Sequence, residues 1–248
     1  MGPMRISGTV SMRTAVVTAT ALALLTACGG GGSGGGDKGG GQGKHAMGSK
    51  APKADPTRIP EVGNALQSKI PGNSGQVVAV YGKGVNSADA TVVLYTKEGK
   101  DWKRARSWAG HNGKRGWTTR HHEGDKRSPV GVYTLSDAGG VLPDPGARLP
   151  YSETPAFAAP HSWPTSHWTD FNYVIAIDYN RVKGTSPLDP TRPEGQRKGG
   201  SIWLHMDHGS GTSACVSLPK SGMEYLLRNL DPERHPVVVM GDKAHLAA

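Results

Sequence analysis

Cys215 and His205 stand ten positions apart in one short segment, Ile202 to Pro219, and supply the two groups that thiol acyl-transfer chemistry needs. A thiolate attacks a carbonyl carbon, and an imidazole takes the thiol proton and returns it to the leaving amine. Between them lies a Gly/Ser/Thr-rich stretch, His208-Gly209-Ser210-Gly211-Thr212-Ser213-Ala214, which reads as a tight turn leading into the cysteine. Backbone N–H groups at Ala214 and Cys215 are the candidate donors to a developing oxyanion, with Ser213, Thr212 and His208 as supporting residues. The chain holds two cysteines, and the other, Cys28, closes an N-terminal apolar leader. Cys215 is thus unpaired in a chain that reads as exported, the setting in which an odd cysteine points to a reactive thiol.

The elements that must position this pair read as mostly strand. Within Ile202 to Met206, alternation puts Trp203 and His205 on one face and Ile202, Leu204 and Met206 on the other. If the apolar set faces the core, His205 looks out towards the loop that carries Cys215, and His208 lies beyond the strand in a Gly/Ser loop. Short β-branched runs at Gln76–Tyr81, Thr91–Thr96, Val130–Leu135, Tyr173–Asp178 and Pro236–Met240 continue the pattern. Glu98-Gly99-Lys100-Asp101 marks a hairpin turn. Loops rich in Pro, Gly, His and Trp, at 136–170 and 180–200, are long enough to build a site. One helix is well signalled after the cysteine: Ser221-Gly222-Met223-Glu224 fits a capping box, and Met223, Leu226, Leu227 and Leu230 recur at helical spacing until Asp231-Pro232. Its positive end lies near enough to favour a thiolate slightly.

The first residues set the expected compartment. Arg5 and Arg13 precede an uncharged apolar run, Thr14 to Ala27, too short for the roughly 20 residues of a membrane-spanning helix but suited to a signal peptide. Leu25-Thr26-Ala27-Cys28 resembles the bacterial lipobox, which implies a leader at 1–27, a lipid on the Cys28 sulfur and export to the membrane face turned towards the cell wall. The glycine-rich stretch at 28–57 has too little apolar surface to offset its ordering entropy and reads as a flexible tether. Residues 58–245 then form one domain with a proper core. The leader carries two of the 29 basic residues and none of the 20 acids, so the remainder stands at +7. That charge suits an anionic wall or lipid surface, whereas no basic helix or basic-aromatic cluster argues for nucleic acid. The sequence assigns no oligomeric state.

The segment from His205 to Cys215 resembles the signature of L,D-transpeptidase catalytic domains, in which a strand-ending histidine precedes a Ser/Thr-x-Gly-Cys turn; Thr212-Ser213-Ala214-Cys215 stands at that turn. His122-Glu123-Gly124-Asp125 and Ser128-Pro129-Val130-Gly131-Val132-Tyr133 are similar to further elements of the family, and the likeness runs over most of 58–243. The resemblance implies a mainly β fold of sandwich or barrel type, a cysteine in a cleft, and a thioester acyl-enzyme formed from a peptidoglycan stem peptide. It implies cross-linking of two diamino acids, exchange of a terminal D-amino acid or, with water as acceptor, L,D-carboxypeptidase activity, with sensitivity to carbapenems and with no metal or organic cofactor. One departure stands out: Ser213-Ala214 replaces the His-Gly of many members, and a glycine needed at positive φ would make Ala214 cost about 1 kcal/mol. Two rival readings follow from the residues. A degenerate domain would bind peptidoglycan without acylation. A metal hydrolase would use His205 with His208 and His121 with His122, although a strand points 205 and 208 to opposite faces.

Overall fold

The structure, a computed structural model, describes residues 54–248; the leader, Cys28 and most of the tether lie outside the described residues. Twelve strands follow in chain order: β1 (Gln76–Gly82), β2 (Asp89–Glu98), β3 (Asp101–His111), β4 (Trp117–Thr118), β5 (Ser128–Pro129), β6 (Gly131–Thr134), β7 (Ala138–Gly140), β8 (Tyr151–Glu153), β9 (Val174–Ala176), β10 (Trp203–Met206), β11 (Val216–Leu218) and β12 (Val237–Asp242). Three short α-helices accompany them among the described residues: α1 (Asn64–Gln67), α2 (Lys220–Asn229) and α3 (Lys243–Ala247). Ten strands form one sheet in the order β6-β12-β1-β2-β3-β11-β10-β9-β7-β8, and β4 pairs with β5. Leu135, Ser136 and Asp137 alone link β6, at one edge, to β7, next to the other edge. A link of that length reaches at most about 14 Å, so the sheet must curl until its edges approach. The fold is mainly β, as the sequence predicts.

Period-two alternation explains what the curl encloses. Val78, Val80, Val92, Leu94, Ile175, Leu204, Val216, Leu218, Val238 and Met240 face inward, and Met223, Leu226, Leu227 and Leu230 of and just after α2 fill the centre. The opposite face is covered at two places. Val77, Ala79, Val93, Val237 and Val239 pack on Ile59, Val62, Leu66 and Leu246, from the segments around α1 and α3. Val174, Ala176 and Trp203 pack on Phe157, with Phe171 and Cys215 at the margin. That second covered patch is the one that carries the cysteine.

One strand goes beyond the sequence reading, and two expectations are corrected. The longest strand, β3, carries no apolar alternation in Lys103-Arg104-Ala105-Arg106, which are exposed and pair with β2 on one side only, since β11 meets β3 at His111 alone. The stretch 136–170 is not purely loop: it contributes β7 and β8, at the sheet edge. Gly139 there allows close packing, since a Cβ would stand 2.6 Å from the Ser152 carbonyl oxygen and 2.8 Å from the Phe157 ring. The capping box does not form, because Pro219 takes the N-cap and α2 begins at Lys220, which places Ser221 inside the first turn. The core-facing stripe of this helix is as expected.

Candidate active site

β10 and β11 run parallel, with Leu204 opposite Val216 and His205 opposite Ser217. Ile202, Leu204 and Met206 enter the central core together with Val216 and Leu218. By alternation Trp203, His205, Cys215 and Ser217 therefore share the outer face of two neighbouring strands. His205 and Cys215 line one cavity of about 630 Å³, whose walls also include Lys114, Trp163, His167, Asp170, Phe171 and Ser201. His205 faces this cavity and not bulk water, at 3% exposure.

The turn before the cysteine is fastened from below. Thr212 N–H donates to the Asn112 carbonyl at 2.9 Å and Lys114 N–H to the Thr212 carbonyl at 2.8 Å. Thr212 Oγ1 donates to the Cys215 carbonyl at 2.6 Å, and Ser128 Oγ donates to the Ala214 carbonyl at 2.6 Å while accepting from Gly113 N–H at 2.9 Å. Gly113 must be glycine, because a Cβ there would stand 2.7 Å from the Ser128 backbone nitrogen. With their carbonyls tied down, the N–H groups of Ala214 and Cys215 donate to no other residue among the described residues. Ala214 is not among the residues with positive φ, so alanine at this position carries no left-handed strain. Ser213 is exposed at the cavity wall and Thr212 is buried beneath it.

The thiol is held by backbone groups. Trp203 N–H donates to Cys215 Sγ at 3.4 Å, and Sγ–H points to the Ser201 carbonyl at 3.6 Å. Ser201 adopts φ 50°, a left-handed conformation that costs a non-glycine residue about 1–3 kcal/mol, and the Arg192 guanidinium holds its hydroxyl. Burial pushes the Cys215 thiol up to about 11, with the Asp170 charge adding to the rise and the Trp203 N–H opposing it. The helix α2 does not offset this, since β11 separates its first residue from the cysteine. Burial likewise pulls His205 down to about 4, against the hydrogen bond that its Nδ1 makes to the Met206 carbonyl at 2.8 Å. That bond fixes the tautomer with hydrogen on Nδ1 and leaves Nε2 as the acceptor. The resting pair is a neutral thiol and a neutral imidazole, with no hydrogen bond between them among the described residues.

His208 departs from its expected place in an open loop. Its side chain is 4% exposed and its ring stacks on His205 at 6.1 Å, 8° from parallel. β10 stops at Met206, so strand parity does not carry to position 208 and the two rings meet on one side. His121 and His122 line a different cavity, with Glu123 and Glu194, and do not join this group. The sequence reading missed Ser128, His167, Asp170, Phe171 and Ser201 as site residues. Ser128 lay in the quoted Ser-Pro-Val-Gly element, and His167-x-x-Asp170 was legible as a spacing within a long loop.

This cysteine-and-histidine cavity on a curled sheet accords with a family match: the L,D-transpeptidase catalytic domain model (YkuD) matches residues 84–239. That span is more than half of the chain, and the chain belongs to this family. Among solved structures, the helical cell shape determining protein Pgp2 from Campylobacter jejuni is similar at 17% identity and TM-score 0.40, over 70% of this chain and 49% of that one. Bd1075 from Bdellovibrio bacteriovorus is similar at 14% identity and TM-score 0.38, over 74% of this chain and 52% of that one. The chain therefore spans about half the length of these two structures. No curated protein matches it.

Proposed function

We propose that this chain is an L,D-transpeptidase that acylates Cys215 with a peptidoglycan stem peptide and passes the acyl group to an amine. The observation that carries the reading is that Cys215 and His205 share the outer face of two paired strands and line one cavity beside the free N–H groups of Ala214 and Cys215. His205 Nε2 takes the thiol proton as Sγ bonds to the carbonyl carbon of the diamino acid at stem position three. The oxyanion is met by the N–H groups of Ala214 and Cys215. The carbon–nitrogen bond to the terminal D-alanine then breaks, and His205 returns the proton to the departing amine. The side-chain amine of a second stem attacks the thioester, loses its proton to His205, and releases Cys215 as the thiol. Trp163, Phe171 and Trp203 give the donor peptide an apolar wall, and Lys114 is the wall's cation suited to its terminal carboxylate.

A carbapenem tests the nucleophile. Its strained lactam opens when Sγ attacks the carbonyl, and the ring nitrogen takes the proton, so the adduct carries the mass of the whole drug. Intact mass spectrometry of the full chain should show one addition, mapped to the peptide that contains Cys215 and absent from Cys215→Ala. No addition, or an equal one on the variant, removes Cys215 from its role. The raised thiol pKa is the one observation on the side of a binding domain without acylation, and absence of the adduct is its signature.

The same proposal places the protein at the membrane through Cys28, on the strength of Leu25-Thr26-Ala27-Cys28 after an uncharged run. Cell fractionation should find the full chain with membranes and Cys28→Ser released or left with its leader uncleaved. Equal retention and processing of both would count against lipid anchoring.

A further inference from the structure

The segment from Trp163 to Phe171 brings His167 and Asp170 to the end of β10, where the Asp170 backbone carbonyl accepts the Met206 N–H at 3.0 Å and His208 lies alongside. His167, Asp170 and His208 present ligand atoms that all lie within 4.8 Å of one another. Nδ1 of His167 is 2.9 Å, and Nδ1 of His208 3.1 Å, from the same Asp170 carboxylate oxygen. Around an ion with bonds of about 2.0–2.1 Å, tetrahedral ligand atoms stand about 3.4 Å apart, so two edges of such a shell are nearly in place.

The protein satisfies these groups only in part: His167 Nδ1 and one Asp170 carboxylate oxygen share a hydrogen bond of 2.9 Å. The side chains of Asp170 and His208 are each 4% exposed. Asp170 Oδ1 and both ring nitrogens of His208 have no hydrogen-bond partner among the described residues; the 3.1 Å approach of His208 to Asp170 is off the axis that a hydrogen bond requires. No lysine or arginine pairs with Asp170 among the described residues, whereas the equally buried Asp137 is paired with Arg181. A buried carboxylate is tolerated when it is paired with a cation or neutralised by a proton.

We propose that His167, Asp170 and His208 bind a divalent first-row transition-metal ion, with zinc as the best match. Two imidazoles and one carboxylate form a donor set of borderline softness that suits zinc over calcium or magnesium. Three protein ligands leave the fourth position open to the cavity that holds Cys215. The site requires neither Cys215 nor His205, so it stands apart from the acyl-transfer reading. Its rival occupant is a proton on one of the two histidines.

Cobalt(II) titration of the chelator-treated full chain separates the two, followed by visible absorption and by competition with zinc. One equivalent should bind with d–d bands and without a thiolate-to-cobalt charge-transfer band, in the wild type and equally in Cys215→Ala. His167 is 28% exposed, so His167→Ala removes a ligand with little disturbance to the core. Its affinity should fall at least about 100-fold, the upper end of the loss caused by removing an outer partner alone. His208→Gln should lose the site likewise, with circular dichroism to confirm a folded chain. No saturable binding to the wild type, unchanged affinity in His167→Ala, or loss of binding in Cys215→Ala would each overturn the proposal. The first outcome assigns the charge of Asp170 to a proton, and the last moves the ion onto the nucleophile.

Discussion

His205→Ala should slow carbapenem acylation of Cys215 by about 10²–10⁴-fold, the usual contribution of a positioned general base. The pH dependence should change with it, in a direction fixed by the two shifted groups. His205 stays neutral down to about 4 and Cys215 stays protonated up to about 11. Between those values the wild type reacts through one form, thiol beside neutral imidazole, and its rate should stay level. Below about 4 the base takes a proton and the rate falls. Without the imidazole, only free thiolate reacts, so the variant's rate should climb about tenfold per pH unit towards the thiol's own titration. Stopped-flow acylation from pH 5 to pH 9 reads both profiles. A level profile in His205→Ala would move the base to another residue, and His208 is the nearest alternative imidazole on the stack.

Arg181→Met should cost the folded state about 3–5 kcal/mol, the usual effect of removing one partner from a buried ionic group. The Arg181 side chain is 4% exposed and pairs with Asp137 and Asp178, themselves 5% and 1% exposed. Asp178 lies just beyond β9 and Asp137 just before β7, so the guanidinium joins two strands of the sheet edge. It also donates to the Thr185 carbonyl, which shapes the loop that follows. Methionine keeps much of the stem and leaves two carboxylates facing each other without a cation. Urea unfolding measures the loss. An effect under about 1 kcal/mol would place the group in the weak class of solvated surface pairs.

The proposed pair lies within one segment, and strand alternation across Ile202 to Met206 places His205 on the face that the structure shows, away from the core set. Alternation fails where the chain leaves the sheet, which is why His208 was misplaced two residues after β10. The β-branched runs of β1, β2 and β12 were legible for another reason: these strands are buried on both faces and so read as continuous apolar runs. β3 was not, because its polar middle faces water and is held by pairing to β2 alone over much of its length. Ser128, His167 and Asp170 reach the site from 87, 48 and 45 positions before Cys215. The Ser128 hydroxyl under the Ala214 carbonyl is a contact that no local spacing encodes, and although His167 and Asp170 are an i,i+3 pair, only the fold sets His208 beside the same carboxylate. The capping box failed for a different reason. Pro219, two residues before Ser221, takes the N-cap, so the helix begins at Lys220.

The place of β12 in the sheet bears on how the thiol survives assembly. β12 is inserted between β6 and β1 and runs parallel to β1, with Val77 opposite Val237. A largely apolar pairing therefore joins segments from opposite ends of the domain and has to await nearly all of the chain between them. Pairings of such long sequence separation close slowly. Cys215 precedes β12, so it is already available while the strand that completes the sheet is still free. Until closure it keeps the acidity and accessibility of an ordinary cysteine, and oxidants reach it most easily then. Burial, which raises its pKa in the finished fold, is also what ends that vulnerable interval.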